Sequence, residues 1–236
     1  MKTRPYAIVA VLFVVVLALG SALVLVVLRR EKAGLVVRDS FESALQHEWS
    51  IFNEDTAHYS LVKWPGSLTI TTQPGGIYGG SRNARNIFLL GNPLSENEDF
   101  EILTSLAHFK PVAEYQQAGL LCFDDPDNYV KACFLFDLRA GGSALHILSE
   151  AQGRATEKRV SFAPTDKLWL RLSKTNRTFA LSTSTNGKDF QESLSLTWKP
   201  AVKYVGLFAK NSDVANPPAT DAVFELFELR RVQSHP

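Results

Sequence analysis

The chain has 236 residues, and its 25 lysine and arginine residues nearly balance 24 aspartate and glutamate residues, giving a formal net charge of +1. Because binding to a phosphate backbone needs a concentrated positive surface, and no basic run is longer than Arg29–Arg30, this composition argues against nucleic acid as a partner. Fifteen phenylalanines and four tryptophans supply ample apolar surface for the core of one domain.

A long apolar segment follows the N-terminal tail, residues 1–5. Residues 6–28 carry no charge, and at a helical rise of ~1.5 Å per residue they span roughly 34 Å, which exceeds a hydrocarbon core of ~30 Å. The segment therefore predicts one transmembrane helix, with the lipid bilayer as its partner. A cleaved signal peptide is the alternative, since Gly20–Ala22 resembles a cleavage site, but the apolar run continues beyond it and favours an uncleaved anchor.

A short charged linker, residues 29–38, leads to a soluble region predicted over residues 39–230 and a C-terminal tail over 231–236. The soluble region alternates between short apolar stretches and turn residues, without a sustained helical period. Ten stretches have this strand pattern: 67–72, 86–90, 100–109, 119–123, 129–136, 144–148, 168–172, 178–182, 204–209 and 222–229. So many short strands in one domain predict an all-β fold, an antiparallel two-sheet sandwich.

The two cysteines flank a turn-rich stretch, residues 124–128, which predicts a hairpin. If Phe123 faces Tyr129 in that hairpin, Cys122 lies opposite Val130, and Cys133 projects from the other face of the sheet. Both cysteines are therefore expected to be free, buried thiols.

Several motifs, in this order, resemble one known family: Asp39-Ser40-Phe41, Trp49-Ser50, residues 115–121, 124–131, 184–190, 205–209 and 224–227. The chain resembles the concanavalin A-like (jelly-roll) β-sandwich domain that lies C-terminal to the propeller of family 43 β-xylosidases, and its stand-alone bacterial relatives. The resemblance covers residues 39–229. It implies a fold and a carbohydrate-related ligand class.

Catalysis is not expected. Glycoside hydrolysis needs two carboxylates that face one sugar bond, and the nearest candidates lie in the acidic stretch 96–101. There Glu98 and Asp99 are adjacent, so they point to opposite faces of a strand. In the family that the chain resembles, a catalytic propeller precedes this domain, whereas here a predicted membrane helix precedes it. We therefore expect a protein that is not an enzyme.

An acidic turn offers oxygen ligands for a metal. Asp124, Asp125 and Asp127 lie within four residues, and the family's fold often carries a structural calcium ion. Calcium needs six to eight oxygens from a pre-bent loop, however, and aspartate and proline also favour a tight turn for local reasons. We expect the turn, with no cofactor, and keep calcium as the alternative.

Sugars bind through aromatic rings that contact their C–H faces and through planar polar groups that pair with their hydroxyls. The candidates for such a site are Tyr59, Trp64, Tyr78, Arg82, Asn83 and Trp198. For each of the four aromatic residues, a place in the core of the sandwich remains the alternative interpretation.

Together these features predict a membrane-anchored, non-catalytic, lectin-like module that binds a glycan or another ligand of the cell envelope. A protein–protein scaffold in an envelope complex and an accessory subunit of a glycoside hydrolase are the alternatives. Arg29, Arg30 and Lys32 and the unpaired cysteines favour a cytoplasmic domain. The sugar-associated fold and the positive N-terminal tail favour the opposite orientation, so we predict a single-pass protein with its domain outside the cytoplasm.

Overall fold

The computed structural model describes residues 34–212 and 217–232. The predicted transmembrane helix, residues 6–28, and the N-terminal tail lie outside this part of the chain, as do most of the linker and the last four residues. Within the described ranges, no helix has the length and apolarity needed to cross a bilayer. The described residues form fifteen strands in two sheets.

The first sheet has eight strands in the order β13-β12-β11-β6-β15-β4-β3, and β1 also pairs with β15. Neighbours along this order are antiparallel. The strands are β1 (Leu35–Asp39), β3 (Tyr59–Ser60), β4 (Leu68–Thr71), β6 (Phe100–Ala107), β11 (Lys167–Thr175), β12 (Thr178–Ser184), β13 (Gln191–Thr197) and β15 (Asp221–Arg231).

The second sheet has seven strands in the order β10-β9-β8-β7-β14-β5-β2, again with antiparallel neighbours. The strands are β2 (Ser50–Phe52), β5 (Ile87–Gly91), β7 (Gln117–Asp125), β8 (Asn128–Asp137), β9 (Gly142–Ala151), β10 (Arg154–Ser161) and β14 (Tyr204–Lys210). The predicted all-β, two-sheet antiparallel sandwich is therefore confirmed.

The main hydrophobic core lies between the sheets. Strand β11 shows why: Leu168, Leu170 and Leu172 are buried in this core, whereas Trp169 and Arg171 alternate with them and are only partly buried. Because successive side chains of a strand point to opposite faces, one apolar face is enough to attach the strand to the core.

A second, smaller apolar cluster covers part of the other face of the seven-stranded sheet. Ile77, from the loop before β5, packs there with Leu121, Tyr129 and Phe208. Strand β8 is consequently buried on both faces along most of its length. This second cluster borders a cavity on the outer face of the sheet, since Leu148 of the cluster and Tyr115, which packs against it, also line that cavity.

The cysteine geometry agrees with the prediction. Cys122 lies opposite Val130 and belongs to the main core, whereas Cys133 belongs to the cluster on the outer face. Both are buried and free. Burial raises the pKa of both thiols, that of Cys133 to about 11, so they remain protonated at neutral pH.

Candidate functional site

The candidate site is a cavity of about 350 Å³ on the outer face of the seven-stranded sheet. Its floor is built by side chains from five adjacent strands: Gln117 (β7), Lys131 (β8), His146 and Leu148 (β9), Glu157 (β10) and Lys210 (β14). A volume of this size matches the lower range of small-molecule sites.

The strand register explains why these residues meet. Lys131 lies opposite Leu148, and Leu148 lies opposite Glu157, so the three side chains form one row across β8, β9 and β10. In the same way, Gln117 lies opposite Lys210 on the neighbouring strand. Directly opposed residues of antiparallel strands share a face of the sheet, and the floor is therefore fixed by backbone pairing.

One wall of the cavity is the loop that carries Tyr78, whose side chain is 56% exposed. The loop is attached to the sheet at two points. The backbone N–H of Gly79 donates to the buried Glu150 carboxylate at 3.1 Å, and Lys210 Nζ donates to the carbonyl of Gly75 at 2.8 Å. Tyr129 also donates its hydroxyl to Glu150, at 2.9 Å. These bonds hold the exposed phenol ring at the edge of the cavity.

The opposite wall pairs Tyr115 with Arg139. Nη2 of Arg139 donates to the Tyr115 hydroxyl at 2.6 Å, and the guanidinium carbon lies 5.5 Å from the centre of the ring. Asp137, which is 1% exposed, caps the turn at residues 138–140 by accepting the backbone N–H of Arg139 at 2.8 Å. The arginine therefore starts from a fixed backbone position.

Charged groups on the β10 side of the cavity form a closed network. Arg159 pairs with both Asp137, at 2.9 Å, and Glu157. Glu157 also lies 3.0 Å from Nε2 of His146. Burial lowers the pKa of His146 to about 3, helped by the positive charges of Lys131 and Arg159. The imidazole is therefore neutral at physiological pH.

The neutral state of His146 fixes the roles of its two nitrogens. Because the Glu157 carboxylate accepts hydrogen bonds only, Nε2 carries the proton and Nδ1 keeps a lone pair. Nδ1 is buried and has no protein partner within the described part of the chain.

Lys131 is the other buried polar group of the floor. Its side chain is 3% exposed, and Nζ donates to Oε1 of Gln117 at 2.8 Å. Burial lowers the pKa of this ammonium group, because removal from water disfavours its charged form.

Of the six residues predicted as ligand-binding, only Tyr78 lines this cavity. Tyr59 packs edge-on against Phe88 of the core, with ring centres 5.2 Å apart, and is only partly buried. Trp64 is 42% exposed and stacks on His108, with ring centres 4.4 Å apart. These two aromatic residues do not contribute to the site.

The polar candidates shape the loop rather than line the cavity. Asn83 accepts the backbone N–H of Gly76 at 2.9 Å through Oδ1, and Arg82 pairs with Asp127 at 2.6 Å.

Trp198 is 4% exposed and packs edge-on against Phe179 in the main core. It also donates Nε1–H to a backbone carbonyl of β9 at 2.9 Å. Trp198 therefore belongs to the main core and not to the candidate cavity, and it lines a separate cavity of about 240 Å³ together with Phe100 and Phe179.

The acidic turn uses its carboxylates in separate interactions. Asp124 pairs with Lys203 at 2.5 Å, whereas Asp125 accepts the backbone N–H of Asp127 at 2.8 Å, as an Asx turn does. Asp127 is the partner of Arg82. In the described ranges, no three histidine, cysteine or acidic side chains form a group that could hold a metal ion.

The acidic stretch 96–101 shows a similar dispersal. Glu98 accepts the backbone N–H of Ser95 and pairs with Arg231 at 2.6 Å, whereas Asp99 accepts the backbone N–H of Asn176 at 2.7 Å. The two carboxylates thus have separate structural roles at the start of β6. They do not face a shared cleft.

Sequence reasoning missed most of the floor. Lys131 and His146 each interrupt an otherwise apolar strand, and this interruption was the available signal. A polar residue inside a buried strand must be satisfied by a partner or serve a ligand. Tyr115, Gln117 and Glu157 carry no comparable signal, because they sit in polar surroundings along the sequence.

Comparison with known proteins places the whole described domain in one family. The family model that matches is the beta xylosidase C-terminal concanavalin A-like domain, over residues 38–230. Among solved structures, the chain is similar to the GH43 protein BlXynB from Bacillus licheniformis, with 20% identity and a TM-score of 0.70 over 83% of this chain and 39% of that chain. It is also similar to the xylan beta-1,4-xylosidase from Bacillus halodurans C-125, with 17% identity and a TM-score of 0.66 over 82% and 38% of the two chains.

A third similar structure has a different context. The CBM2 module of the evolved Dit protein of Lactobacillus casei BL23 phage J-1 matches with 9% identity and a TM-score of 0.58, over 86% of this chain and 98% of that chain. These identities establish a common fold alone. The chain spans only 38–39% of the length of the two GH43 proteins. Among curated proteins, none matches the chain.

Proposed function

Since the chain belongs to the family of β-xylosidase C-terminal concanavalin A-like domains, we propose that it is a lectin-like module that binds a glycan and has no catalytic role of its own. One observation carries the proposal. The cavity on the outer face of the seven-stranded sheet combines the exposed ring of Tyr78 with the buried polar groups of Gln117, Lys131 and His146.

This combination suits a sugar. An aromatic ring offers an apolar surface to the C–H face of a pyranose, and buried polar groups select hydroxyls because they lose free energy when left without partners. Tyr78 supplies the ring, and the polar side chains of Gln117, Lys131 and His146 line the same cavity. Leu148 adds an apolar contact in the floor.

A non-catalytic role is supported by the carboxylates. Glycosidases place two carboxyl groups about 5–9.5 Å apart around the sugar bond. Among the described residues that line the cavity, Glu157 is the one carboxylate, and it already interacts with Arg159 and His146. A glycosidase nucleophile or base acts together with a second carboxyl group and is not held by an arginine and a histidine, as Glu157 is.

The binding test uses the full chain in a mild detergent and a panel of oligosaccharides and insoluble polysaccharides. We expect binding at millimolar concentration or tighter, and we expect Tyr78→Ala to weaken it at least tenfold through loss of the stacking surface. Tyr204→Ala is the matched control, because Tyr204 is 37% exposed and starts β14 without lining the cavity. Absence of binding to every sugar would refute the proposal.

The location of the domain is part of the proposal. We propose that residues 6–28 anchor the protein in a membrane and that the sandwich lies outside the cytoplasm, where polysaccharides are found. The length and apolarity of the segment support this. A reporter that is active only after export, fused after Pro236, is expected to be active. Activity of a cytoplasm-only reporter instead would overturn the orientation.

An accessory role in a glycoside hydrolase is the second candidate. It is favoured by the similar GH43 structures, in which the matched region is 38–39% of a longer chain. Glycosidase activity that co-purifies with the intact protein, and depends on a second chain, would support this role. Cross-linking that recovers one stoichiometric non-enzymatic protein would favour a scaffold.

A further inference from the structure

We infer that the ligand of the cavity carries a carboxylate, as an acidic sugar of the uronic acid class does, and that Lys131 binds this carboxylate. The inference rests on the proposed function, since it names the chemical class of glycan that the same cavity accepts. It starts from the number of hydrogen bonds that the buried lysines donate, which is lower for Lys131 than for the others.

Three lysines of the described chain are buried: Lys131, Lys174 and Lys210. Lys174 donates to two backbone carbonyls, both at 3.0 Å, and Lys210 donates to two others, at 2.8 and 3.0 Å. Lys131 has a single hydrogen bond, to Gln117, although an ammonium group has three protons to donate. Among the described residues it makes no ion pair. Its side chain lines a cavity large enough for a ligand.

A buried charge without a counter-ion is costly, because it loses hydration that a single amide oxygen does not replace. Such a group is common at functional sites, where a ligand supplies the missing partner. A ligand carboxylate offers Lys131 both a negative charge and up to four acceptor positions. A neutral hydroxyl would offer hydrogen bonds alone and would leave the charge uncompensated.

The rest of the lining agrees with an anionic ligand. Glu157 raises the pKa of Lys131 through its negative charge but makes no ion pair with it, because Glu157 pairs with Arg159 and accepts a hydrogen bond from His146. Arg139 is a second cation at the rim; 55% of its side chain is exposed, and it also pairs with Asp137 at 3.5 Å and with Glu157 at 3.8 Å. Glu150 also raises the pKa of Lys131 without pairing with it, and its carboxylate accepts hydrogen bonds from Gly79 and Tyr129.

Two features of the lining define what the ligand must present. Lys131 requires an anionic acceptor, and the ring of Tyr78 requires an apolar face. A sugar acid carries both in one molecule, whereas a neutral sugar lacks the negative charge and inorganic phosphate lacks the apolar face.

The test compares each acid with its uncharged methyl ester on the full chain. Oligosaccharides of glucuronate, galacturonate and mannuronate are titrated by calorimetry beside their methyl esters, which lose the charge and gain one methyl group. We expect at least one acid to bind tenfold or more tightly than its ester. In Lys131→Met that preference is expected to fall below about threefold with little change in ester binding, and Lys131→Arg is expected to retain part of it.

Lys167→Met is the charge-matched control, because this substitution also removes one positive charge but lies on the other sheet. It is expected to keep the preference for the acid. The thermal midpoint of Lys131→Met checks folding, and we expect no decrease, because an apolar side chain removes a desolvated charge.

The outcomes separate the two levels of the argument. Acids and esters that bind equally well, or a preference that survives Lys131→Met, would overturn this inference and leave glycan binding in place. If neither form of any sugar binds, the proposed function itself is wrong, and the inference fails with it.

Discussion

Replacement of Asp39 by alanine tests how the start of the domain is attached to its core. Asp39 is fully buried and accepts three hydrogen bonds: from the backbone N–H of Phe41 and of Gln46, both at 2.9 Å, and from Nε1 of Trp49 at 2.8 Å. Trp49 in turn packs edge-on against Phe227, with ring centres 5.1 Å apart. One carboxylate thus links the first strand, the following loop and an indole that contacts the core.

The magnitude follows from these three bonds. Hydrogen bonds to a charged group contribute ~1.5–3 kcal/mol each, and a buried donor left alone costs a comparable amount. Water can reach the partly buried N–H of Gln46, so we expect Asp39→Ala to lose about 3–5 kcal/mol of unfolding free energy. For a domain of this size, that corresponds to a decrease of roughly 6–20 °C in the melting temperature.

Urea denaturation followed by tryptophan fluorescence, together with calorimetry, measures the loss. Trp49→Phe removes one of the three bonds and keeps most of the ring packing, so it is expected to cost less than half as much. Asp166→Ala is the control, because that carboxylate is 91% exposed and makes a single surface ion pair, with Lys110. A loss below about 1 kcal/mol in Asp39→Ala would refute the reasoning, since it would mean that the three donors find other partners.

Three further predictions concern the pH dependence of stability, divalent metal ions and the close approach of β7 to β8. The unfolded His146 imidazole takes up a proton near its ordinary pKa of about 6.5, whereas the folded one stays neutral down to about 3. The unfolding free energy therefore decreases as pH falls through this window. Urea titrations at several pH values are expected to show that His146→Gln reduces the pH dependence of the unfolding free energy by up to ~1.4 kcal/mol per pH unit. An unchanged pH dependence would contradict this. Chelation of divalent ions is expected to leave the melting temperature unchanged, and a decrease of more than about 10 °C would reveal a metal site in the acidic turn, 124–127. Gly119→Ala would place its Cβ against a backbone carbonyl oxygen of β8, whereas the Cβ of Gly91→Ala would meet no atom within 4 Å. Denaturation is expected to show a loss of about 1–3 kcal/mol of unfolding free energy for Gly119→Ala alone. Equal stabilities of the two variants would contradict this packing.

The ten predicted strands correspond to ten observed ones, because each buries at least one apolar face and so shows the pattern in its sequence. Among the strands that were missed, β10 lacks this signal altogether. In β10, residues Arg154–Ser161, seven of eight side chains are exposed, and the strand is formed by pairing with β9 at the edge of the sheet. Backbone hydrogen bonding to a neighbour is invisible in a polar sequence.

The site was harder to predict than the fold. Tyr78, predicted because an aromatic residue in a glycine-rich loop stands out, lines the candidate cavity, whereas Trp198, predicted because Pro200 suggested a loop, does not. Its indole instead fills the main core against Phe179. Loop position in the sequence does not determine exposure, since a residue just after a strand can still point into the sandwich.

The burial of Lys131, in strand β8, could not be predicted from the sequence. An antiparallel strand usually alternates between apolar and polar side chains, but this one is covered on both faces, so Lys131 appears within a run of buried residues. Without the register, such a lysine suggests a solvent-facing position. Only the pairing with Leu148 and the neighbouring Gln117 shows that its ammonium group lies inside a cavity.

The two faces of the seven-stranded sheet have different physical requirements. The inner face needs only apolar packing against the other sheet, and its residues meet that need. The outer face buries a lysine, a neutral histidine and a cysteine beside the apolar cluster, at a cost that apolar side chains of similar volume would avoid. Stability alone gives no reason to keep Lys131 at this position, since the folded protein gives its ammonium group a single hydrogen bond. The acidic ligand that we propose would supply the missing partner.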